Sequence, residues 1–324
     1  MNQDQIQQLN DALEAVRARR IENVYFVACG GSKAIFDPAQ YIFDRETAVP
    51  SFVYTANEFI HRCPKGLGEH SLVVSCSHSG NTPETVRATE LAGEKGALTV
   101  SFSFKPGSPL WLATQHGISY TWGPESDPSE SNNAMLFRLV FGVLNILRPD
   151  EKYERAVACC DKLGEVIAVN KQKFAGRAQD FGVRYKRSSL IYTMSSGPCY
   201  GVAYSFAICL LQEMLWVNSA AIHSGEYFHG PFEITDYDVP FIIIKNSGET
   251  RPLDERAAAF CEKYSQEVVM IDCDEFDMTG ICDDLKGDFA VLVAGAVLRT
   301  YADALSDFKG HPLSVRRYMW RMAY

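Results

Sequence analysis

No CxxC pair occurs among the ten cysteines of this 324-residue sequence, which removes the commonest spacing of a zinc or dithiol redox site. Cys29, Cys76, Cys159, Cys160 and Cys209 are scattered, several within apolar runs. In a chain of this size they are expected to be reduced, mostly buried thiols. HExxH is missing too, and His223 with Glu226 only superficially resembles a metal pair, so no metal is expected. Basic excess is absent: 31 Lys and Arg stand against 40 Asp and Glu, a formal charge of −9. That charge argues against nucleic acid as a partner, which wants a basic face. No apolar run reaches the ~18 residues of a transmembrane helix. The opening Met1-Asn-Gln-Asp-Gln5 shows no basic stretch followed by an apolar one, so no signal peptide is expected. The expected location is the cytoplasm, with no membrane partner.

What is present is ordinary for a globular enzyme, with 47% hydrophobic and 22% charged residues. The length suits two domains of roughly 150 residues each. Gln3 to Arg19 has helical spacing through Ile6, Leu9, Leu13 and Val16. Strand-like runs follow at Val24–Ala28, Ser51–Tyr54, Leu72–Ser75, Ala97–Phe102 and Ile118–Trp122, with helical patterns between most of them. Such alternation predicts an α/β fold, a parallel sheet flanked by helices. Ser131–Leu147 and Glu151–Gln172 read as helices, and the domain boundary is expected near the second, giving domains 1–160 and 161–324. The pattern then restarts. Ser188–Gly197 matches Ile21–Gly30 in character, and Pro240–Thr250 echoes Leu72–Thr82. Gly31 to Gly80 is 49 residues and Gly197 to Gly248 is 51, so two related halves are expected.

The most informative stretch is Ser75-Cys-Ser-His-Ser-Gly-Asn-Thr-Pro-Glu-Thr85, between the apolar Leu72-Val-Val74 and the helical pattern from Val86. It reads as a buried strand, a hydroxyl-rich turn and a helix start. Thr82 or Asn81 suits the N-cap and Pro83 the first helical position. Free N–H groups, the helix dipole and the hydroxyls of Ser77, Ser79 and Thr82 would then form an anion pocket suited to phosphate. An ordinary turn with a Ser/Thr cap is the plainer alternative. The second half has Lys245 and Asn246 where the first has Ser77 and His78, so one phosphate site per chain is inferred.

With Cys29-Gly-Gly-Ser32, Ser77-His-Ser-Gly-Asn-Thr82 and the segment from Glu213 to Gly230-Pro231, the chain resembles the sugar isomerase (SIS) superfamily, which binds phosphosugars on tandem αβα domains. The isomerase half of glucosamine-6-phosphate synthase carries a similar Ser-x-Ser-Gly-x-Thr phosphate loop. There a catalytic Glu precedes a His-Gly-Pro histidine by sixteen residues, and here Glu213 and His229 are sixteen apart. Within the superfamily, Ile222–Ile234 and the ending Arg316-Arg-Tyr-Met-Trp320 resemble the deglycases of phosphorylated Amadori compounds. The absence of any lysine after Lys309 and of a glutaminase half weighs against aminosugar synthesis.

The resemblance implies two tandem SIS domains, the second with a C-terminal helical tail. It implies Glu213 and His229 as catalytic groups, and Gly31, Ser32, Ser77, His78, Ser79, Thr82 and Ser131 as substrate and phosphate contacts. The implied partner is a small phosphosugar-amine, fructoselysine 6-phosphate, cleaved by water without a cofactor. A homodimer or higher homo-oligomer with shared active sites is also implied. Other readings stay open: an aldose–ketose isomerase, an aminosugar-phosphate deaminase, or a silent phosphosugar sensor. Lys33 reads as a phosphate counter-ion or a solvated helix start. Arg316, Arg317 and Arg321 read as a clasp on the pocket or as a charged helical tail. The amino acid carried by the substrate is not specified.

Overall fold

The computed structural model describes residues 1–322, and the chain divides into one compact unit ending at Gly164 and another beginning at Glu165. In unit 1, α1 (Gln3–Arg17) leads into β1 (Asn23–Ala28), α2 (Gly30–Ala34), α3 (Phe36–Glu46), β2 (Ser51–Thr55), α4 (Ala56–Arg62) and β3 (Ser71–Cys76). Then come α5 (Pro83–Glu94), β4 (Leu98–Ser103), α6 (Pro109–Ala113), β5 (His116–Ser119), α7 (Asn132–Leu147) and α8 (Glu151–Cys159). The sheet is all parallel, in the order β2-β1-β3-β4-β5.

Side-chain alternation on β1 shows why both faces are covered. Tyr25 and Val27 pack with Val73, Phe59 of α4 and Ala88 and Ala92 of α5. Phe26, on the opposite face, meets Phe36 and Phe43 of α3 at 5.2 and 5.8 Å between ring centroids. The last of the expected strands is shorter than its pattern. It ends at Ser119, because Thr121 turns its N–H to the Glu130 carbonyl (2.9 Å) instead of a strand neighbour. The expected helix from Glu151 is broken by a one-turn 3₁₀ segment, Cys160–Lys162, before α9 (Leu163–Tyr185) starts.

Unit 2 continues with β6 (Tyr192–Ser195), α10 (Tyr200–Ser205), a π-helix (Phe206–Met214), β7 (Ala221–His223), β8 (Phe241–Lys245), α11 (Arg251–Tyr264), β9 (Val268–Asp272) and α12 (Lys286–Lys309). Its parallel sheet runs β7-β6-β8-β9, the order of the first four strands of unit 1 with β6 in the place of β1. Gly30 after β1 and Gly197 after β6 share the left-handed backbone, with φ of +56° and +52°. α12 is long and apolar enough to cross a membrane, but 72% of that stretch is buried, with Phe289, Val293 and Leu298 in the core, so it is a core helix. The chain after it is not the helical tail expected from the sequence. Gly310, at φ +63°, ends α12, and Pro312 denies the next turn a donor, so 311–322 runs as turns and bends.

Candidate active site

In the sheet of unit 1 the strand order reverses direction between β1 and β3, and the crevice at their carboxyl ends is where open α/β sheets take ligands. Ala28 pairs with Cys76, so the turns after both strands, Cys29–Ser32 and Ser77–Thr82, lie side by side. The buried Cys76 thiol hydrogen-bonds both Ser32 and Asn132, the first residue of α7, and burial pushes its pKa up to about 12. Ser131 is the N-cap of α7, its Oγ accepting from the Ala134 N–H at 3.3 Å. Gly31, Ser32, Ser131 and the 77–82 turn are thus gathered at the carboxyl end of the central strands β1 and β3.

Within that turn Thr82 caps α5 and Pro83 opens it, yet the Thr82 hydroxyl makes no cap bond. It faces the buried Ser77 hydroxyl at 2.9 Å, while Ser79 Oγ accepts from the Asn81 N–H at 3.2 Å. Hydroxyls and the amide end of a twelve-residue helix therefore lie together in this turn. Gly80 closes the turn at φ +69°, where a Cβ would stand 2.0 Å from Ser108 Oγ. Gly80→Ala is expected to cost about 1–3 kcal/mol of unit 1 stability through backbone strain and this clash, measured by denaturant unfolding.

His78 lies in the loop, as the sequence suggested, among aromatic rings. Its ring stacks on Phe104 (5.4 Å, 11°), meets Trp122 edge-on at 4.8 Å, and its Nδ1 lies 2.9 Å from the Tyr120 hydroxyl. Burial, and then the nearby Lys105 charge, lower its pKa, so the imidazole is neutral near pH 7 and offers a phosphate no charge. Lys33 is engaged by Asp37 one helical turn on, at 3.5 Å.

The corresponding crevice of unit 2 already holds a carboxyl group, whose pKa burial raises. Asp254 of α11, fully buried, accepts the Ser224 hydroxyl at 2.6 Å and the Asn246 N–H and side-chain amide at 3.0 and 2.6 Å. Asn246 also donates to Ser196 and Thr250 of the flanking turns. A phosphate there would meet a carboxylate with its donors spent, which goes further than the missing hydroxyls noted in the sequence. The signal was a lone Asp on an otherwise apolar helix face.

Glu213 sits in the last turn of the π-helix, where Leu215 donates its N–H to Leu210 in the wide i to i+5 pattern. Such insertions re-aim side chains and recur at functional sites. Trp216 then takes φ +55°, an unusual backbone for a bulky residue, and reverses the chain. The carboxylate is a quarter exposed and receives Arg316 Nη2 at 2.9 Å. Burial raises its pKa, and the Arg316 charge and hydrogen bond only partly offset that. Of the three C-terminal arginines, Arg316 is buried on this carboxylate, Arg317 lies over the Trp216 ring at 4.4 Å, and Arg321 is exposed. His229 ends a short 3₁₀ turn, exposed, with its backbone N–H on Glu226 O at 2.9 Å and Gly230 at φ +138° beside it. His223 Nδ1 accepts from the Gly225 N–H at 3.1 Å. Among the described residues no cluster of three or more His, Cys, Asp or Glu side chains is placed to hold a metal.

A SIS domain model matches residues 19–144. The chain is 50% identical over 313 residues to fructosamine deglycase FrlB of Bacillus subtilis, covering 96% of this chain and 95% of that protein. It is 27% identical to fructoselysine 6-phosphate deglycase of Escherichia coli, over 94% of this chain and 88% of that one. A Bacillus subtilis crystal structure, assigned provisionally to a phosphosugar isomerase, superposes with a TM-score of 0.96 at 48% identity, over 98% of this chain and 97% of that chain. The chain belongs to the SIS family and, within it, to the phosphosugar deglycase family.

Proposed function

We propose that this protein is a deglycase that cleaves fructoselysine 6-phosphate with water to glucose 6-phosphate and lysine. The observation that carries the reading is Glu213: a largely buried carboxylate with a raised pKa, fixed at the end of a π-helix, on a scaffold similar to that of a fructosamine deglycase. As base, Glu213 takes a proton from C1 while the C2 oxygen gains one, giving an enaminol. Returning the proton to C2 gives an aldimine at C1. Water adds to C1, the C–N bond breaks, and the amine leaves as the aldehyde of glucose 6-phosphate forms. The substrate's own C2 carbonyl takes up the electron pair of the broken C1–H bond, and the nitrogen lone pair then forms the imine as C2 is protonated, so the chemistry calls for no cofactor. A carboxylate whose pKa lies closer to neutrality both takes and returns a proton more readily.

His229 is assigned to ring opening and to the proton on O5 or O2. Its exposed imidazole, on a turn with glycine at its end, suits a group that finds its partner in substrate or in the second subunit of a homodimer. The phosphate is assigned to the amides and hydroxyls of Ser77, Ser79 and Thr82, with Gly31, Ser32 and Ser131 around the sugar. His78 contributes a neutral edge. Unit 2, with its repeated strand order, is read as the second SIS domain.

The test is a panel of phosphorylated Amadori compounds with products read by mass spectrometry and a coupled dehydrogenase. The expected result is equimolar lysine and glucose 6-phosphate. Aldose–ketose interconversion without amine release would instead establish the isomerase reading, which the assignment given to the Bacillus subtilis crystal structure favours. Phosphosugar binding with no turnover of any compound would leave a sensor.

A further inference from the structure

The segment after α12 carries a feature the reaction scheme leaves unused. Arg316 is only 7% exposed, although the residues on both sides of it in sequence are more open. Its Nη1 donates to the carbonyls of Leu313 and Val315, at 2.6 and 2.9 Å. Its guanidinium carbon lies 5.3 Å from the centre of the Trp320 ring. Two carbonyls and an indole therefore fix the group before it meets any acid. Nε is buried with no hydrogen-bond partner, and Nη2 is the nitrogen that reaches Glu213.

We propose that Arg316 is the positioning residue of Glu213, the turn-rich segment 311–320 being folded around its guanidinium so as to hold that carboxylate aimed and negatively charged. Burying a carboxylate next to an apolar helix disfavours its charged form, and a base must begin charged. A fixed, planar cation that cannot itself lose a proton supplies the balance without competing for the substrate's proton. A lysine in this place would be a mobile point charge and a proton donor in its own right. The two offsets on Glu213 named above, charge and hydrogen bond, both come from Arg316.

The other groups around the π-helix do not substitute for it. α10 brings Tyr200 and Tyr204 and β6 brings Tyr192, none of them a cation or carboxylate. α12 carries Lys286, Asp288, Arg299, Asp303, Asp307 and Lys309, of which Lys286 pairs with Asp283 at 2.6 Å and Arg299 with Asp303 at 2.9 Å. In the segment itself Arg317 lies over Trp216, and His311 sits beside the same ring at 4.5 Å. None of these acts on the ionisation of Glu213.

This inference rests on the deglycase reading for its consequence but not for its test. R316M fills the buried slot with apolar volume, R316Q keeps it polar, and either one that folds suffices. The Glu213 carboxyl, followed by carbon NMR in full-length protein with E213Q identifying the signal, should titrate at higher pH in these variants than in wild type. R316K should return it toward the wild-type midpoint. In the amine-release assay, kcat/KM at pH 6 should fall on the order of 10-fold or more, the worth of a hydrogen bond to a charged group, and the deficit should shrink as pH rises. An unmoved Glu213 titration would overturn the proposal, and so would a loss of activity by one constant factor at every pH. If wild type releases no amine, the deglycase reading fails while the titration still decides the role of Arg316.

Discussion

Glu213→Gln is expected to lower kcat for amine release by at least ~10², within the 10²–10⁴ typical of one general base, while substrate affinity stays within a few-fold. The substitution is nearly isosteric, and its amide oxygen can still accept from Arg316, so the π-helix and the segment held by Arg316 should persist. What the amide cannot do is take a proton from C1 and return it to C2. The pH profile gives a second sign of the same role. The base works only when ionised, so wild-type kcat/KM should rise with pH through the Glu213 pKa. That limb should lie above the usual glutamate range near 4.3, because burial raises the pKa more than Arg316 lowers it. In Glu213→Gln the limb should vanish along with the activity. Near-normal turnover in this variant would remove the shuttle role, and with it the mechanism proposed here.

The first unit was largely legible in the sequence because a buried parallel strand leaves a dense apolar run with small residues at its end. Val24–Ala28 and Leu72–Ser75 were each recognised to within a residue or two, and their pairing follows from the α/β pattern. The hydroxyl turn was legible for a similar reason: capping chemistry is local, and Thr82 with Pro83 declares a helix start. Features that depend on contacts between distant segments were not. Nothing near His78 announces that Phe104, Tyr120 and Trp122 will pack against its ring, since these residues arrive from two later strand ends. The π-helix, Phe206–Met214, leaves no period in the sequence that sets it apart from an ordinary apolar helix. Likewise, Arg316 and Arg317 looked alike in sequence as members of a charged tail. Only the turn made by Leu313 and Val315 separates the buried arginine from the exposed one.

Replacing Ser77 and Ser79 together by alanine is expected to raise KM with little change in kcat. A hydrogen bond to a charged group is worth about 1.5–3 kcal/mol, so each hydroxyl that meets the phosphate should contribute roughly 10- to 100-fold in KM. The phosphate is remote from C1 and C2, where bonds change, and its contacts are the same in the bound substrate and in the transition state. Loss of such uniform binding shows in KM. The fold should tolerate both changes, because Ser77 keeps its backbone bond to Phe102 (3.1 Å) and Ser79 is exposed. The Thr82 hydroxyl loses its 2.9 Å partner, which makes the double variant a test of the whole cradle. A substrate without its phosphate separates anion binding from general damage, since wild type and variant should then handle it equally poorly. Collapse of kcat with KM unchanged would move these serines from the phosphate to the reacting carbons and require another anchor for the ester. The carboxylate of Asp254 already occupies the matching crevice of unit 2, so that anchor would have to lie outside both sheet crevices.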